Sequence, residues 1–234
     1  MRDLLVNLLA SIVAGAAVWV AQRLLRYRRL ARKRAFFGLD RDAVAFLTVS
    51  RHAASPHEMS VHRRDVAALV ELAMIVRDCG GRAELVRAEA VPEGIGQITE
   101  FCVGGALGNP RAAAHRRSIL RGVHYEPYDR NHRDLAFSVG GTRFRREPEV
   151  AEYVVLARAW GPDGGQPVFV LSGQTARANL AAARFLATGY RSLYRRYGAT
   201  TRFCLVLRIL EPVVYGSDFI EIAADVTGDA FDPP

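Results

Sequence analysis

Residues 98–110 read ITEFCVGGALGNP, an apolar run that ends in paired glycines and reopens on Asn109-Pro110. Ile98 to Val103 has the composition of a buried strand, and a proline just behind an asparagine is a common helix start. A strand turning into a helix through Gly104, Gly105 and Gly108 is the repeating joint of α/β proteins. Residues 168–179, VFVLSGQTARAN, form the same joint again: a strand to Leu171, the turn Ser172-Gly173-Gln174-Thr175, then a helix that Thr175 caps.

The alternation continues on both sides. Ala43 to Val49 reads as a buried strand. Ser55-Pro56-His57-Glu58 reads as an N-cap, a first-turn proline and a capping-box glutamate, with Ser60 as a second candidate cap. The helix that follows puts Val66, Leu69, Val70, Ala73 and Val76 on one face, and Gly80-Gly81 stops it. Ala83 to Ala88 is a second strand, and the helix opened by Asn109-Pro110 ends near Gly122, before a short strand over Val123 to Glu126. Leu135 to Val139 and Thr142 to Arg145 flank Gly140-Gly141, a two-residue hairpin signal. Tyr153 to Trp160 and Val168 to Leu171 enclose a glycine-rich turn, the helix from Thr175 runs to about Tyr197, and Phe203 to Leu210 and Phe219 to Val226 complete the strands. The pattern predicts an α/β, Rossmann-like three-layer domain over residues 41–234, its mixed sheet mostly parallel at first.

At 234 residues there is room for one such domain and an accessory segment. Cys79, Cys102 and Cys204 are odd in number and lie in apolar runs, which suits buried thiols in a reducing compartment. The formal charge of +8 is carried almost wholly by Arg23, Arg26, Arg28, Arg29, Arg32, Lys33 and Arg34, so its distribution argues against nucleic acid. Those residues follow Leu4 to Ala21, apolar or small throughout except for Asn7 and Ser11. The expectation is one N-terminal transmembrane helix (1–25) and a basic juxtamembrane linker (26–40) against the anionic inner leaflet, ahead of a secretory signal peptide and a buried core helix. By the positive-inside rule the protein is then single-pass in the cell membrane with its domain cytoplasmic. Ala10, Ala14, Ala17 and Ala21 offer a small-residue face for a homo-oligomer through that helix.

Both glycine turns fall where open α/β sheets bind ligands, beyond the carboxyl ends of strands. The ligand-binding candidates are therefore Gly104, Gly105, Gly108, Asn109, Ser172, Gly173, Gln174 and Thr175. Neither turn has the full spacing of a dinucleotide or Walker fingerprint, and tight turns need glycine in any case. His52, His57 and His62 have no partners at zinc spacing and read as solvated loop residues; no metal, cofactor or catalytic residue is assigned. Asp65 and Glu71 read as the polar face of the first domain helix. In the helix from Thr175, Leu180, Ala183, Ala187, Tyr190, Tyr194 and Tyr197 form a core stripe. Arg177, Arg184, Arg191 and Arg195 form a second stripe, read as solvated or as a further membrane contact.

From Ala43 to Tyr197 the order of elements and the two glycine turns resemble the Rossmann-like nucleotide-sensing modules of the SLOG and TIR-like type. The resemblance implies a nucleotide-derived ligand. A TIR-like enzyme would also need a catalytic glutamate, for which Glu58, Glu71 and Glu100 are candidates. The expected function is a membrane-anchored sensor of a phosphorylated or nucleotide-like small molecule. A nucleotide hydrolase or glycosidase using the same cleft, and a membrane-tethered interaction scaffold, stand as alternatives.

Overall fold

A computed structural model of the chain describes residues 2–52, 55, 57, 60–88, 91, 94–127 and 135–233, and in the first helix the side chains of residue 7 and of residues from 12 onward. The elements are α1 (Arg2–Phe37), β1 (Val44–Val49), α2 (Arg63–Asp78), β2 (Arg82–Leu85), β3 (Thr99–Val103), α3 (Pro110–Ser118), β4 (Val123–Tyr125), β5 (Ala136–Val139) and β6 (Thr142–Arg145). They continue with β7 (Ala151–Gly161), β8 (Gly164–Gly173), α4 (Ala176–Tyr197), β9 (Phe203–Leu210), β10 (Ile220–Asp225) and α5 (Thr227–Phe231).

The main sheet runs β10-β9-β7-β8-β3-β1-β2. β2, β1, β3 and β8 are mutually parallel, while β7 lies antiparallel between β8 and β9. Period-2 alternation divides the strands between two cores. Val154, Leu156, Phe169, Leu171, Leu205 and Leu207 face α2, α4 and the end of α1. Val155, Ala157, Val168, Val170, Cys204 and Val206 face the small sheet β4-β5-β6 and α5. Burial on both faces explains the nearly continuous apolar strands. The chain leaves β1 for β2 on one side and then crosses to β3 on the other, so the strand order reverses between β1 and β3.

Among the described residues no helix is long and apolar enough to cross a membrane. Beyond Ala21 the same helix carries Gln22, Arg23, Arg26, Arg28 and Arg29, so it does not continue as an apolar run. This overturns the transmembrane helix at 1–25. With it go the single-pass cell-membrane localisation, the anionic inner leaflet as partner, the homo-oligomer through a membrane helix, and a membrane-anchored sensor or scaffold function. The basic residues Arg23, Arg26, Arg28, Arg29, Arg32, Lys33 and Arg34 are side chains of one continuous helix. Arg23 covers Trp19 at 5.2 Å. Lys33 pairs with Asp78 at 2.7 Å, and Arg34 Nε donates to the Cys79 carbonyl at 2.7 Å. The residues expected as a linker instead end in core, with Phe36, Phe37 and Leu39 buried.

Other boundaries shift as well. Pro56 and Glu58 lie outside the described residues, and α2 starts later than expected, capped by His62, whose Nδ1 accepts from the Arg64 amide. Cys79, Cys102 and Cys204 are buried free thiols. In α4, Leu180, Ala183 and Tyr197 are buried and Ala187, Tyr190 and Tyr194 pack against them. Arg184 of the other stripe bonds Glu71 at 3.2 Å and Asp218 at 2.5 Å, so it is taken up within the domain.

Arg158, in the middle of β7, is fully buried, and among the described residues no carboxylate pairs with it. Its guanidinium donates to the carbonyls of Phe36, Gly198 and Thr201 at 3.1, 3.0 and 2.6 Å, and lies 4.4 to 5.1 Å from the rings of Phe36, Trp160 and Phe203. Burial pushes its pKa down to about 10, which leaves it charged at neutral pH. Removing it strands the buried Phe36 carbonyl, at about 1–3 kcal/mol, and releases the part-buried carbonyls of Gly198 and Thr201. Arg158→Met is therefore expected to lower unfolding stability by about 1–3 kcal/mol, seen as a lower urea midpoint with an unchanged slope. A midpoint equal to the parent's would show that the cation is dispensable.

Candidate functional site

β1, β3 and β8 end at the same edge of the sheet, and the turns that leave them surround a cavity of about 450 Å³. It lies at the reversal of strand order, where helices depart to opposite faces and leave a crevice. Ser50, Arg51 and His52 come from the end of β1, and His62, Arg64 and Asp65 from the start of α2. Gly104 to Gly108 follow β3, and Gly173 to Arg177 lead from β8 into α4. Tyr125, Leu135, Ala136 and Arg146 enter from the small sheet and its flanks.

Six of the eight candidates from the two turns line this cavity: Gly104, Gly105, Gly108, Gly173, Gln174 and Thr175. Asn109 and Ser172 do not. Asn109 is buried, its Oδ1 accepting from the Arg111 and Ala112 amides at 3.0 and 3.2 Å while its Nδ2 donates to the Val103 carbonyl. Ser172 Oγ accepts from Tyr125 at 2.7 Å. Both therefore hold the turns from behind. Gln174 Nε2 donates to Leu135 and Phe144 carbonyls, tying the small sheet over the edge. Thr175 accepts from the Ala178 amide as a helix cap and donates to Glu152 Oε2 at 2.6 Å.

The glycines differ in kind. Gly104 has φ +102°, and a Cβ there would collide with Ser50 Oγ. A Cβ on Gly173 would lie 2.8 Å from Ala178 Cβ and from Asn179 Oδ1. Gly105 has neither constraint, because nothing lies within 4 Å of its added Cβ. The turn is pinned by the Arg51 amide donating to the Gly108 carbonyl at 2.9 Å. The amides of Gly105, Ala106 and Leu107 donate to nothing among the described residues.

Sequence reasoning missed the charged residues of the site. Glu152, at the start of β7 and 1% exposed, accepts from Arg146 at 3.1 and 3.2 Å and from Thr175, with Arg177 Nη1 3.7 Å away. Both its oxygens are engaged, so it organises cations rather than acting as a free base. Arg177 Nε is buried with no hydrogen-bond partner among the described residues. Arg64 is held below the ordinary guanidinium pKa by burial first and then by the like charges of Arg177 and Arg63. Asp65, expected on a solvated face, is 5% exposed, and burial raises its pKa against the opposing effects of Asn179 and His52. Helical spacing could have found it, since Asp65, Leu69, Leu72 and Val76 share one stripe. His52 and His62, expected in solvent, stack in the cavity wall with ring centroids 5.3 Å apart, whereas His57 is exposed and not part of it.

None of the three glutamates considered for a TIR-like reaction lines the cavity among the described residues. Glu58 lies outside them, and Glu71 pairs with Arg184. Glu100 is buried, accepting from Arg111 at 2.9 to 3.1 Å on both oxygens and bonding His115 Nε2 at 2.9 Å. Glu100, Cys102 and His115 place possible metal-ligand atoms within 4.8 Å of one another. The Arg111 cation already occupies both oxygens of that carboxylate, and His115 Nε2 bonds it as well. The cluster is a hydrogen-bonded ion network.

No known family model matches this sequence, and no curated protein is significantly similar to it. The architecture is that of a generic Rossmann-like α/β domain, a mixed sheet flanked by helices, and not of a specific family.

Two outcomes follow. Gly104→Ala should destabilise the domain by about 1–3 kcal/mol through its positive φ and the Ser50 clash, while Gly105→Val should melt like the parent. Equal melting temperatures for the two variants would remove the distinction. For Glu100, burial raises the pKa, but the bonds and charges of His115 and Arg111 outweigh it and hold the carboxyl below its usual range. Its contribution is thus complete above the ordinary carboxylate pKa and lost as pH falls through the lower folded value. Glu100→Gln should remove that portion of the acid-side fall in a pH series of melts; an unchanged acid limb would contradict the assignment.

Proposed function

We propose that the cavity binds a phosphorylated, ring-bearing small molecule of nucleotide type, as in the Rossmann-like nucleotide-sensing modules that the sequence resembles. The carrying observation is the convergence of Arg146 and Arg177 on one buried carboxylate, Glu152, which Thr175 also bonds, with Arg64 lining the same cavity. Cationic charge gathered beside the unbonded amides of Gly105, Ala106 and Leu107 suits a phosphate, which accepts from guanidinium and backbone N–H alike. Leu107, Leu135, Ala106, Ala136 and Ala176 supply apolar wall for a ring. A volume of about 450 Å³ is within the ordinary range for small-molecule sites.

The candidate residues of the turns take distinct parts in this reading. Gly105 and Gly108 let the backbone approach the anion, and Gly104 sets the turn. Gly173, Gln174 and Thr175 fix the start of α4 so that Arg177 reaches inward. Asn109 and Ser172 support from outside the wall.

The test is a binding screen of the full chain against mono-, di- and cyclic nucleotides and inorganic phosphate, with mass spectrometry of any small molecule released from the purified protein. Arg177→Gln should weaken binding about tenfold to a hundredfold, the worth of one charge-assisted hydrogen bond. Gly105→Val should block binding by filling the space in front of the free amides. Parent protein that binds none of these ligands and carries no co-purified small molecule would end the proposal, as would Gly105→Val binding them all unchanged.

A further inference from the structure

Asp65 is buried in the cavity wall, and its contacts account for one of its two carboxylate oxygens. Oδ1 accepts from Asn179 Nδ2 at 2.8 Å. The other side of that amide is fixed as well, because Asn179 Oδ1 accepts from the Gly173 amide at 2.7 Å. The chain of bonds from the turn after β8, through α4, to the first turn of α2 sets the carboxylate in place and determines which end of the Asn179 amide it meets. Oδ2 accepts nothing from the described residues. Oδ2 is not closed off by protein, so within an otherwise buried side chain it opens to the cavity, where a donor from a ligand can reach it.

The neighbouring group supplies the complement. His62 Nδ1 accepts the Arg64 amide proton at 3.1 Å, so the neutral ring carries its proton on Nε2. Burial, with the nearby His52, Arg64 and Arg63, keeps the ring below the ordinary histidine pKa and so favours that neutral form. This wall of the cavity therefore presents a fixed acceptor at Asp65 and a fixed donor at His62. A hydroxyl fits such a pair, since it donates and accepts through one oxygen. A second phosphate does not fit, because it would meet the Asp65 charge.

Building on the nucleotide reading, we infer that Asp65 is a specificity-determining residue that binds a ribose hydroxyl of the ligand, with His62 donating to the same oxygen. The cavity thus has an anion pole at Arg64, Arg177 and the Gly105 turn, and a hydroxyl pole at Asp65 and His62. The ligand class narrows from phosphorylated ring compounds in general to ribonucleotides.

The experiment measures binding of AMP, 2′-deoxy-AMP, 3′-deoxy-AMP, ribose 5-phosphate and inorganic phosphate to the parent chain and to Asp65→Asn. Glu71→Gln, on the same helix but away from the cavity, serves as control, and thermal melts accompany each protein. The parent should bind AMP about tenfold to a hundredfold tighter than at least one deoxy form, the loss expected for a missing hydrogen bond to a charged group. Asp65→Asn should melt at or above the parent temperature, still bind phosphate, and treat AMP and that deoxy form within about twofold. Glu71→Gln should discriminate as the parent does. A parent that binds AMP and both deoxy forms equally overturns the hydroxyl assignment while leaving the nucleotide reading in place, and so does Asp65→Asn that keeps the full discrimination. A parent that binds none of the five probes overturns both.

Discussion

A positive charge without a counter-ion holds the domain together. Arg158 sits within β7, and the oxygens around it are carbonyls at or just beyond the ends of α1 and α4. Carbonyls at helix C-termini carry the negative end of the helix dipole, so the two helices together supply much of what a carboxylate would. Phe36, Trp160 and Phe203 present ring faces to the same cation and keep water away from it. The arrangement fixes the C-terminus of α4 against the sheet and draws the last turn of α1 into the core. An apolar residue would fill the space, but it would leave three carbonyls unbonded.

What this fixes at one end of α4 is used at the other. The helix has 22 residues, so its N-terminus lies about 30 Å from the Arg158 knot. There Thr175 caps it and bonds Glu152, Arg177 approaches Glu152, and Asn179 spans Gly173 and Asp65. A helix anchored on its C-terminal carbonyls can hold its N-terminal side chains over the crevice where β1 and β3 part. The small sheet closes the other flank through Gln174 and Tyr125, both bonded to backbone. Among the described residues, α2, α3 and α4 begin at this edge, yet only α2 and α4 bring charged side chains to the cavity.

Much of this was readable in advance, because it rests on local rules. Glycines behind apolar runs, paired at Gly104-Gly105 and single at Gly173, marked the ends of β3 and β8, and the cap at Thr175 followed from the hydroxyl before a helical stripe. Features set by tertiary context were not readable. Ser55 obeys the rule for an N-cap, but α2 begins after His62, where a ring nitrogen does the same work beside a stacked histidine. Glu152 stands just ahead of the strand expected from Tyr153, yet pairing of β7 with β9 extends the strand back to Ala151 and buries the carboxylate. The basic stretch after Gln22 was read through composition alone. Composition did not reveal that α1 runs unbroken to Phe37, nor that Lys33 and Arg34 bond the end of α2.

The two buried charge systems differ in one respect that separates structure from site. Around Glu100 the account closes: Arg111 and His115 satisfy both oxygens, and the carboxyl is held firmly ionised. Around the cavity it does not close. Burial and then the charge of Arg177 hold Arg64 below its ordinary pKa, and among the described residues Arg177 Nε has no partner, one Asp65 oxygen has no donor, and three successive amides donate to nothing. The packing does not require a carboxylate at residue 65, where a leucine would continue the stripe of Leu69 and Leu72. A fold that satisfies the Glu100 carboxylate so fully, and gathers several open polar groups at one edge, offers those groups to something other than itself.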